Sequence, residues 1–270
     1  MKDFINFICY LKEEERSQNT IDTYTYGLKT YFNKYDEINK PNLIEWKDML
    51  KQNFSATTVN LRIIGMNEYL KFLGKKDLKL KLVKTQKSMH TDNVISFEDY
   101  NKLLNGLLQD GNKKWYYIVK LLAETGVRVS ELLKLKIEDL DTCIVDMHTK
   151  ASKCRRIYIK KSLGEELKQW LNSQGRYNGF IVISNANGSS MTSRGVTQNL
   201  QNFAKRYGID KKVMHPHSFR HFFAIQFLKR EQNLSLLADL MGHSNIATTA
   251  LYTRLSQEEQ VKKLNEIVNW

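Results

Sequence analysis

The chain has 270 residues, 41% of them hydrophobic, which is enough to build one large domain or two modest ones. Lysine and arginine number 42 against 29 acidic residues, and the excess is spread along the chain: residues 1–90 hold 16 basic and 11 acidic side chains, and residues 91–270 hold 26 and 18. Two positive regions are typical of a protein that grips a polyanion from two sides, although a solubilising surface charge is the alternative.

No apolar run is as long as a membrane span, and the N-terminal stretch predicts an amphipathic helix rather than a signal peptide. The three cysteines, Cys9, Cys143 and Cys154, show no paired or CxxC spacing. We therefore expect a cytoplasmic protein without membrane association and without a disulfide framework.

The first 83 residues carry the periodicity of four short helices. Apolar side chains recur at helical spacing over residues 4–11 and 21–35, and Thr20 is placed as an N-cap for the second of these helices. Pro41 opens a third helix, and residues 55–74 form a fourth that begins at a capping serine and ends at a glycine. The pattern predicts a small all-α domain over residues 1–83.

Residues 84–94, at the end of a lysine-rich stretch, lack apolar periodicity and predict an interdomain linker that either lies on the polyanion or is solvated. A capping box at Ser96 opens a helix, and a further helix ends at Gly126. Alternating residues in CIVDMHT and RRIYIK, separated by a polar stretch, predict a β-hairpin.

The second domain covers residues 95–270, and helices are predicted for the part of it that follows the hairpin. They cover residues 162–172, 193–207, 217–230, 234–241, 245–254 and 256–268, with an apolar run, FIVIS, after the first of them. The fold class is therefore mainly α with a small β-sheet.

Four separate stretches hold side chains suited to binding and attacking an anion. They contain Arg128 with Glu131, Lys150 with Lys153, His217 with Arg220, and His243 with Tyr252. Each pair alone is a weak signal, because a lone arginine or lysine usually lies at the solvated surface, a lone histidine is usually structural, and the chain has 13 tyrosines. Their significance depends on whether they act together.

The stretch HPHSFRHFF, residues 215–223, holds three of the six histidines. His215, His217 and His221 could form a zinc site, but the intervening proline breaks the first turn and no carboxylate or cysteine follows at ligand spacing. We expect no metal here. We expect His217 and Arg220 to share a helical face that grips an anion, with His221 and the two phenylalanines packed beneath.

The order of these stretches resembles the tyrosine recombinase, or phage integrase, family over essentially the whole chain. The first box of the family resembles TGVRVSEL, the second HSFRH and the third GHSNIATTALY. The resemblance implies a helical core-binding, SAM-like domain followed by a catalytic domain. It also implies an active site made of Arg128, Lys150, His217, Arg220, His243 and Tyr252.

One departure concerns the hairpin lysine. The family usually has glycines around it, whereas Thr149 and Ala151 flank Lys150 here. Lys153 therefore remains an alternative to Lys150 as the general acid. Glu131 is expected to anchor the helix or Arg128 rather than to take part in the chemistry.

By this resemblance the protein breaks and rejoins DNA. Tyr252 would attack a phosphodiester to form a 3′-phosphotyrosyl link, two arginines would clamp the phosphate oxygens, and a lysine would protonate the leaving 5′-oxygen. The bond energy is conserved in such a reaction, so we expect no cofactor and no metal.

The partners implied by the family are double-stranded DNA and three further copies of the chain. The helix predicted over residues 256–268 would dock on a neighbouring protomer. Because the helical domain starts near residue 3, we expect no additional arm-binding domain. The role is integration or excision of a mobile element, or Xer-like resolution. The alternatives are a type IB topoisomerase-like enzyme and a catalytically silent DNA-binding regulator.

Overall fold

The computed structural model describes residues 2–85, 93–148, 154–184, 189–242, 246–253, 265–266 and 268. The chain divides into two compact units, Met1–Lys87 and Ser88–Trp270, each with its own hydrophobic core. The described residues are mainly helical and include a two-stranded sheet, so the predicted fold class is confirmed. No helix in this described part of the chain has the length and apolar character needed to cross a membrane.

The first unit contains the four predicted helices. They are α1 Lys2–Glu13, α2 Gln18–Phe32, α3 Lys40–Asn53 and α4 Ala56–Phe72. The predicted cap at Thr20 is wrong, because α2 begins earlier: Ser17 is the N-cap, and its side chain accepts from the backbone N–H of Thr20. On α1, Phe7 and Leu11 are buried. Ile5, in the same predicted apolar stretch, is 63% exposed and does not lie on the buried face of the helix.

Residues 79–83 form a segment, here called the strap, that runs along α4 without helix or strand structure. The side-chain amide of Asn67 both accepts from the backbone N–H of Leu80 (2.8 Å) and donates to its carbonyl (2.9 Å). Asn60 pairs in the same way with Val83, at 2.7 and 2.8 Å. Two helical turns on α4 rise by about 10 Å, close to the length of three extended residues, so the two asparagines match the spacing of the strap.

The second unit holds the remaining elements. They are α5 Phe97–Gln109, α6 Lys113–Thr125, α7 Val129–Leu132, β1 Ile144–His148, β2 Cys154–Tyr158, α8 Lys161–Ser173, α9 Ser193–Tyr207, α10 Pro216–Arg230, α11 Leu234–Met241 and α12 Ile246–Thr249. β1 and β2 pair antiparallel, with Ile144 opposite Tyr158. The predicted hairpin strands and the cap at Ser96, whose side chain accepts from the N–H of Asp99 at 3.0 Å, are confirmed.

One predicted helix of the second unit differs in the structure, and another stays a prediction. The apolar run FIVIS, for which no element was predicted, forms two isolated bridges, Lys136 with Phe180 and Ile183 with Ser190. The helix predicted over residues 245–254 divides into α12 and a 3₁₀ turn, Ala250–Thr253. Of the helix predicted over residues 256–268, only residues 265–266 and 268 belong to the described residues, so that element stays a prediction.

Three helices of this unit end at glycines with left-handed backbone, and two of them bear on the site. Gly208 follows α9 with φ 61°, Gly126 follows α6 with φ 60°, and Gly242 follows α11 with φ 62°. The ends of α6 and α11 leave carbonyl groups without helical partners, which must find donors elsewhere. These carbonyls organise the site described below.

Candidate active site

Three arginines converge on the carboxyl end of α11. Its last carbonyls, and that of the glycine that follows, each accept a hydrogen bond from an Nη2 atom. The pairs are Arg155 with Leu240 at 2.8 Å, Arg220 with Met241 at 2.6 Å, and Arg128 with Gly242 at 3.3 Å. The carboxyl end of a helix carries partial negative charge, which stabilises cations brought together there. Residues from three distant parts of the sequence thus form one positive cluster.

Arg220 is the most enclosed of the three, with 2% of its surface exposed. Its Nη1 donates to the carbonyl of Gly126 at 2.5 Å, so both Nη atoms are fixed by backbone oxygens. Burial and the nearby charges of Arg128 and Arg155 lower the pKa of Arg220 to about 10. The guanidinium therefore remains charged at neutral pH.

Arg128 lies at the rim of the cluster, with 42% of its side chain exposed. It is the N-cap of α7. Its backbone N–H donates to Oε2 of Glu131 at 2.8 Å, and its Nη1 donates to Oε1 at 2.9 Å. One carboxylate thus orients the arginine while leaving part of the guanidinium open to a ligand.

Glu131 joins Arg128 to Arg155, whose Nη1 donates to Oε2 of the same carboxylate. Both Glu131 and Arg155 are buried. Burial alone would raise the pKa of Glu131, but the hydrogen bond from the Arg128 backbone and the charge of Arg155 outweigh it and lower that pKa. The expectation that Glu131 serves as an anchor fits this geometry.

Arg155 was missed from the sequence, although a signal for it existed. It alternates with Arg156 on β2 and shares the inward face with Ile157, which is 1% exposed. Successive strand residues point to opposite faces, so one of the two arginines had to lie against the core. An arginine in that position needs a buried acceptor, and Glu131 provides it.

The stretch HPHSFRHFF forms the start of α10. His215 is its N-cap, and Nδ1 of this residue accepts from the N–H of Ser218 at 3.1 Å. His217 reaches the surface; partial loss of water around its ring, together with the charge of Arg220, lowers its pKa. Among the described residues, no group of three or more histidine, cysteine or acidic side chains could hold a metal ion.

Tyr252 lies in the 3₁₀ turn that follows α12, and its hydroxyl is 2.6 Å from Nδ1 of His221. The imidazole of His221 is also in edge-to-face contact with that of His217, with 4.2 Å between ring centroids. His217, His221 and Tyr252 therefore form a row that starts at the surface. Burial raises the pKa of Tyr252, and the charge of Arg220 opposes this effect.

The expectation that His221 packs beneath the site is wrong: the ring is half-buried and contacts the tyrosine hydroxyl. Phe222, in contrast, is buried against Tyr100, as expected. The i, i+4 spacing of His217 and His221 was visible in the sequence, but it suggested a metal site rather than a route to Tyr252. The structure thus brings together four predicted residues: Arg128, His217, Arg220 and Tyr252.

Three other candidate residues, Lys150, Lys153 and His243, lie outside the described residues. The strands that flank residues 149–153 are described, and so is the end of α11 that precedes His243. The roles of these three side chains stay predictions.

Comparisons with known proteins give a consistent result. A sequence model of the phage integrase family matches residues 93–259, and one of the phage integrase N-terminal SAM-like domain matches residues 4–77. The TnP I resolvase of Bacillus thuringiensis is 29% identical over 284 residues, covering 96% of this chain and 97% of the resolvase. Tyrosine recombinase XerA of Thermococcus kodakarensis is 28% identical, covering 93% and 90%.

A solved structure is similar along the chain as well. The Tn1549 transposon integrase, in complex with circular intermediate DNA, matches with a TM-score of 0.75 at 16% identity and covers 99% of each chain. The two matched sequence models fall one in each compact unit. The likeness therefore concerns both units and not the catalytic residues alone.

Proposed function

The chain belongs to the phage integrase family, and from this premise we propose that it is a site-specific tyrosine recombinase that cleaves and rejoins double-stranded DNA. The resemblance inferred from the sequence is thereby confirmed. The observation that carries the activity is the meeting of Arg128, Arg220, His217 and the hydroxyl of Tyr252 around one site. A catalytically silent regulator of the same fold would form no covalent adduct with DNA, which the experiment below measures.

The chemistry follows from these groups. The oxygen of Tyr252 attacks the scissile phosphorus, forming a 3′-phosphotyrosyl bond as the bond to the 5′-oxygen breaks. Arg220 and Arg128 supply planar N–H donors to the phosphate oxygens as charge develops on them, and His217 adds a further donor. The freed 5′-hydroxyl of a partner strand then attacks the phosphotyrosine, which reverses the first step and conserves the bond energy.

The experiment that tests this activity uses a nicked suicide site, on which the covalent adduct accumulates. Tyr252→Phe should abolish the adduct while leaving DNA binding intact. Between Tyr207 and the carboxyl terminus Tyr252 is the only tyrosine in the sequence, so a close neighbour could not replace it. An adduct that persists in the variant would place the nucleophile elsewhere. Relaxation of supercoiled DNA by the monomer would favour a topoisomerase instead.

Lys150 is proposed as the general acid that protonates the leaving 5′-oxygen, with Lys153 as the alternative and His243 as a ligand of the phosphate. Lys150→Ala should be rescued by a 5′-bridging phosphorothiolate, because a thiolate leaves without needing a proton. Rescue of Lys153→Ala instead would transfer the role to Lys153. Cleavage should persist in EDTA; dependence on added zinc would contradict the metal-free mechanism.

DNA binding is proposed for both parts of the chain, divided as residues 1–83, a linker over 84–94 and a catalytic domain over 95–270. The net positive charge of both regions supports this, since phosphate contacts supply most of the affinity for a duplex. The Tn1549 integrase structure is itself a DNA complex. Because the attraction is electrostatic, affinity should fall steeply as salt is raised.

We further propose a tetramer on two DNA sites, with the carboxyl-terminal segment docked on a neighbouring copy. In the sequence, Val261, Leu264, Ile267 and Val268 recur at helical spacing. A head-to-tail contact of this kind closes in a ring. Deleting residues 257–270 should then leave binding to a single site largely intact and weaken synapsis and recombination. Wild-type recombination by the truncated protein would exclude this role for the segment.

A further inference from the structure

We propose that His221 is a catalytic residue of the cleavage step, which accepts the phenolic proton of Tyr252 on Nδ1 as the tyrosine attacks. The inference rests on the proposed function and adds a residue to the six named from the sequence. It concerns the removal of a proton from the nucleophile, a step that neither the arginines nor the general acid performs.

The geometry of the pair carries the proposal. The hydroxyl oxygen of Tyr252 and Nδ1 of His221 are 2.6 Å apart, within the range of a short hydrogen bond. A phenol is a far weaker acid than an imidazolium, so at neutral pH the hydroxyl donates and Nδ1 accepts. This requires the tautomer of His221 that carries its proton on Nε2.

Both members of the pair are held in place by packing. His221 lies in the middle of α10, and Tyr252 packs against a small cluster formed by Ala224, Leu237 and Met241. The rings of His221 and Tyr252 also touch, with centroids 5.3 Å apart. The pair is therefore preorganised, because the proton acceptor already lies in hydrogen-bond contact with the nucleophile before DNA binds.

The nucleophile needs such an acceptor. Burial raises the pKa of Tyr252, and the opposing effect of Arg220 leaves it above its ordinary value. At neutral pH Tyr252 is therefore a neutral phenol, which is a poor nucleophile. A base in hydrogen-bond contact with it is worth about 100-fold to 10,000-fold in rate.

The proton balance of the step is complete without an external reactant. The Tyr252 oxygen forms its bond to phosphorus, the phenolic proton passes to Nδ1 of His221, and the bond from phosphorus to the 5′-oxygen breaks. The 5′-oxygen takes its proton from the general acid proposed above. In the rejoining step the attacking 5′-hydroxyl gives its proton back to the general acid, and the imidazolium of His221 returns the other proton to the oxygen of Tyr252 as it leaves.

The charged surroundings of His221 bear on its pH dependence. On α10 its neighbours are His217, one turn earlier, and Arg220; the 3₁₀ turn contributes Tyr252. α11 also packs on α10 and carries Asp239, which is exposed. α6 packs on α10 too, and its Glu124 lines a groove along a different face, beside Phe222, Phe223 and Gln226.

The test compares His221→Asn with the wild type in single-turnover cleavage of a suicide site at saturating DNA. The Oδ1 atom of asparagine lies near the place of Nδ1 and can accept a hydrogen bond, but it cannot take up a proton. We expect adduct formation to slow by about 100-fold or more with DNA binding unchanged. Wild-type cleavage should also decline as the pH is lowered and solvent protonates the imidazole, and the variant should lose this decline.

A matched control is His215→Asn on the same helix. His215 caps α10 through Nδ1, and asparagine is a strong N-cap, so cleavage by this variant should equal that of the wild type. His221→Ala, with free imidazole added, gives a second measurement: partial recovery of the rate supports proton transfer, and circular dichroism verifies that the variant folds.

The outcomes separate the two levels of the proposal. If the wild type forms no Tyr252-dependent adduct, the proposed function itself fails. If the wild type does form the adduct, and His221→Asn cleaves at the same rate with the same pH profile, only the role of His221 is overturned.

Discussion

Arg220 donates a hydrogen bond from Nη1 to the carbonyl of Gly126, which lies 94 positions earlier in the chain. Nη2 of the same guanidinium binds the carbonyl of Met241, so backbone atoms from two helix ends fix its plane. An arginine held in this way loses little conformational freedom when it binds a phosphate. The left-handed glycines that end α6 and α11 thus help to position an arginine of the candidate active site.

The first prediction concerns Gly126→Ala. At φ 60° an added Cβ is strained, and it would meet Cδ1 of Phe223 at 2.5 Å. The carbonyl that holds Arg220 must therefore move. We expect a loss of about 2 kcal/mol or more of unfolding free energy and at least a 10-fold slower cleavage on the suicide site.

Gly111→Ala is the matched control for this prediction. Gly111 also follows a helix with positive φ, but nothing lies within 4 Å of an added Cβ. It should lose about 1 kcal/mol of stability and cleave at the wild-type rate. Equal cleavage by the two variants would show that the Gly126 carbonyl does not position Arg220.

The second prediction concerns Arg155→Met, which keeps the bulk of the side chain and removes its charge. Glu131 and the carbonyl of Leu240 would each lose a buried donor. Removing one partner from a buried ion pair costs about 3 kcal/mol, and urea unfolding should detect a loss of this size. Cleavage should also slow, because the Glu131 carboxylate, which orients Arg128, loses its hydrogen bond from Arg155.

The adjacent Arg156→Met provides the comparison. Its ion pair with Asp146 is on the outer face of the hairpin, where water screens both charges. We expect no resolvable change in stability or cleavage. If Arg155→Met and Arg156→Met had the same unfolding free energy and cleavage rate, the inner and outer faces of β2 would contribute equally to stability and activity.

The elements of the fold were predictable to different degrees. Helices with a strong cap and clear periodicity, such as the one that begins at Ser96, follow from local sequence alone. The cap of α2 was misplaced because Ser17 and Thr20 are both capping residues, and only the packing of the helix selects between them. In FIVIS, Ile181 and Val182 are buried, yet the segment forms isolated bridges, so apolar character alone does not make a strand.

The site shows the same limit. Arg128, His217, Arg220 and Tyr252 were found because their order in the chain resembles that of a known family. Arg155 and His221 act through neighbours that are distant in sequence, namely Glu131 and Tyr252. Local periodicity assigns such residues to a face of a strand or helix, but it does not identify the side chains from distant parts of the chain that contact that face.

The third prediction concerns the strap. Asn67→Ala removes both hydrogen bonds to Leu80, a residue that is 5% exposed, and leaves its N–H without an acceptor. We expect a loss of about 2 kcal/mol and faster hydrogen exchange at the Leu80 amide, while Asn60 still protects that of Val83. Asn53→Ala, at the exposed end of α3, is the control. Unchanged protection of Leu80 in the Asn67 variant would mean that the strap is held by other contacts.

The last prediction concerns acid. The pKa of Glu131 is lower in the folded protein than in the unfolded chain, where it lies near 4.3, because its hydrogen bond to Arg128 and the charge of Arg155 outweigh burial. The unfolded chain therefore takes up a proton more readily. The stability contributed by this carboxylate is fully present above about pH 5 and is lost as the pH falls through the lower, folded value.

Glu131→Gln has no such carboxylate, so the difference in unfolding free energy between wild type and variant should shrink as urea titrations move from about pH 7 to about pH 3.5. The exposed Glu165→Gln changes the net charge equally and is the control for that change. A difference between wild type and Glu131→Gln that stays constant over this range would mean that the carboxylate is no better stabilised in the folded site than in water.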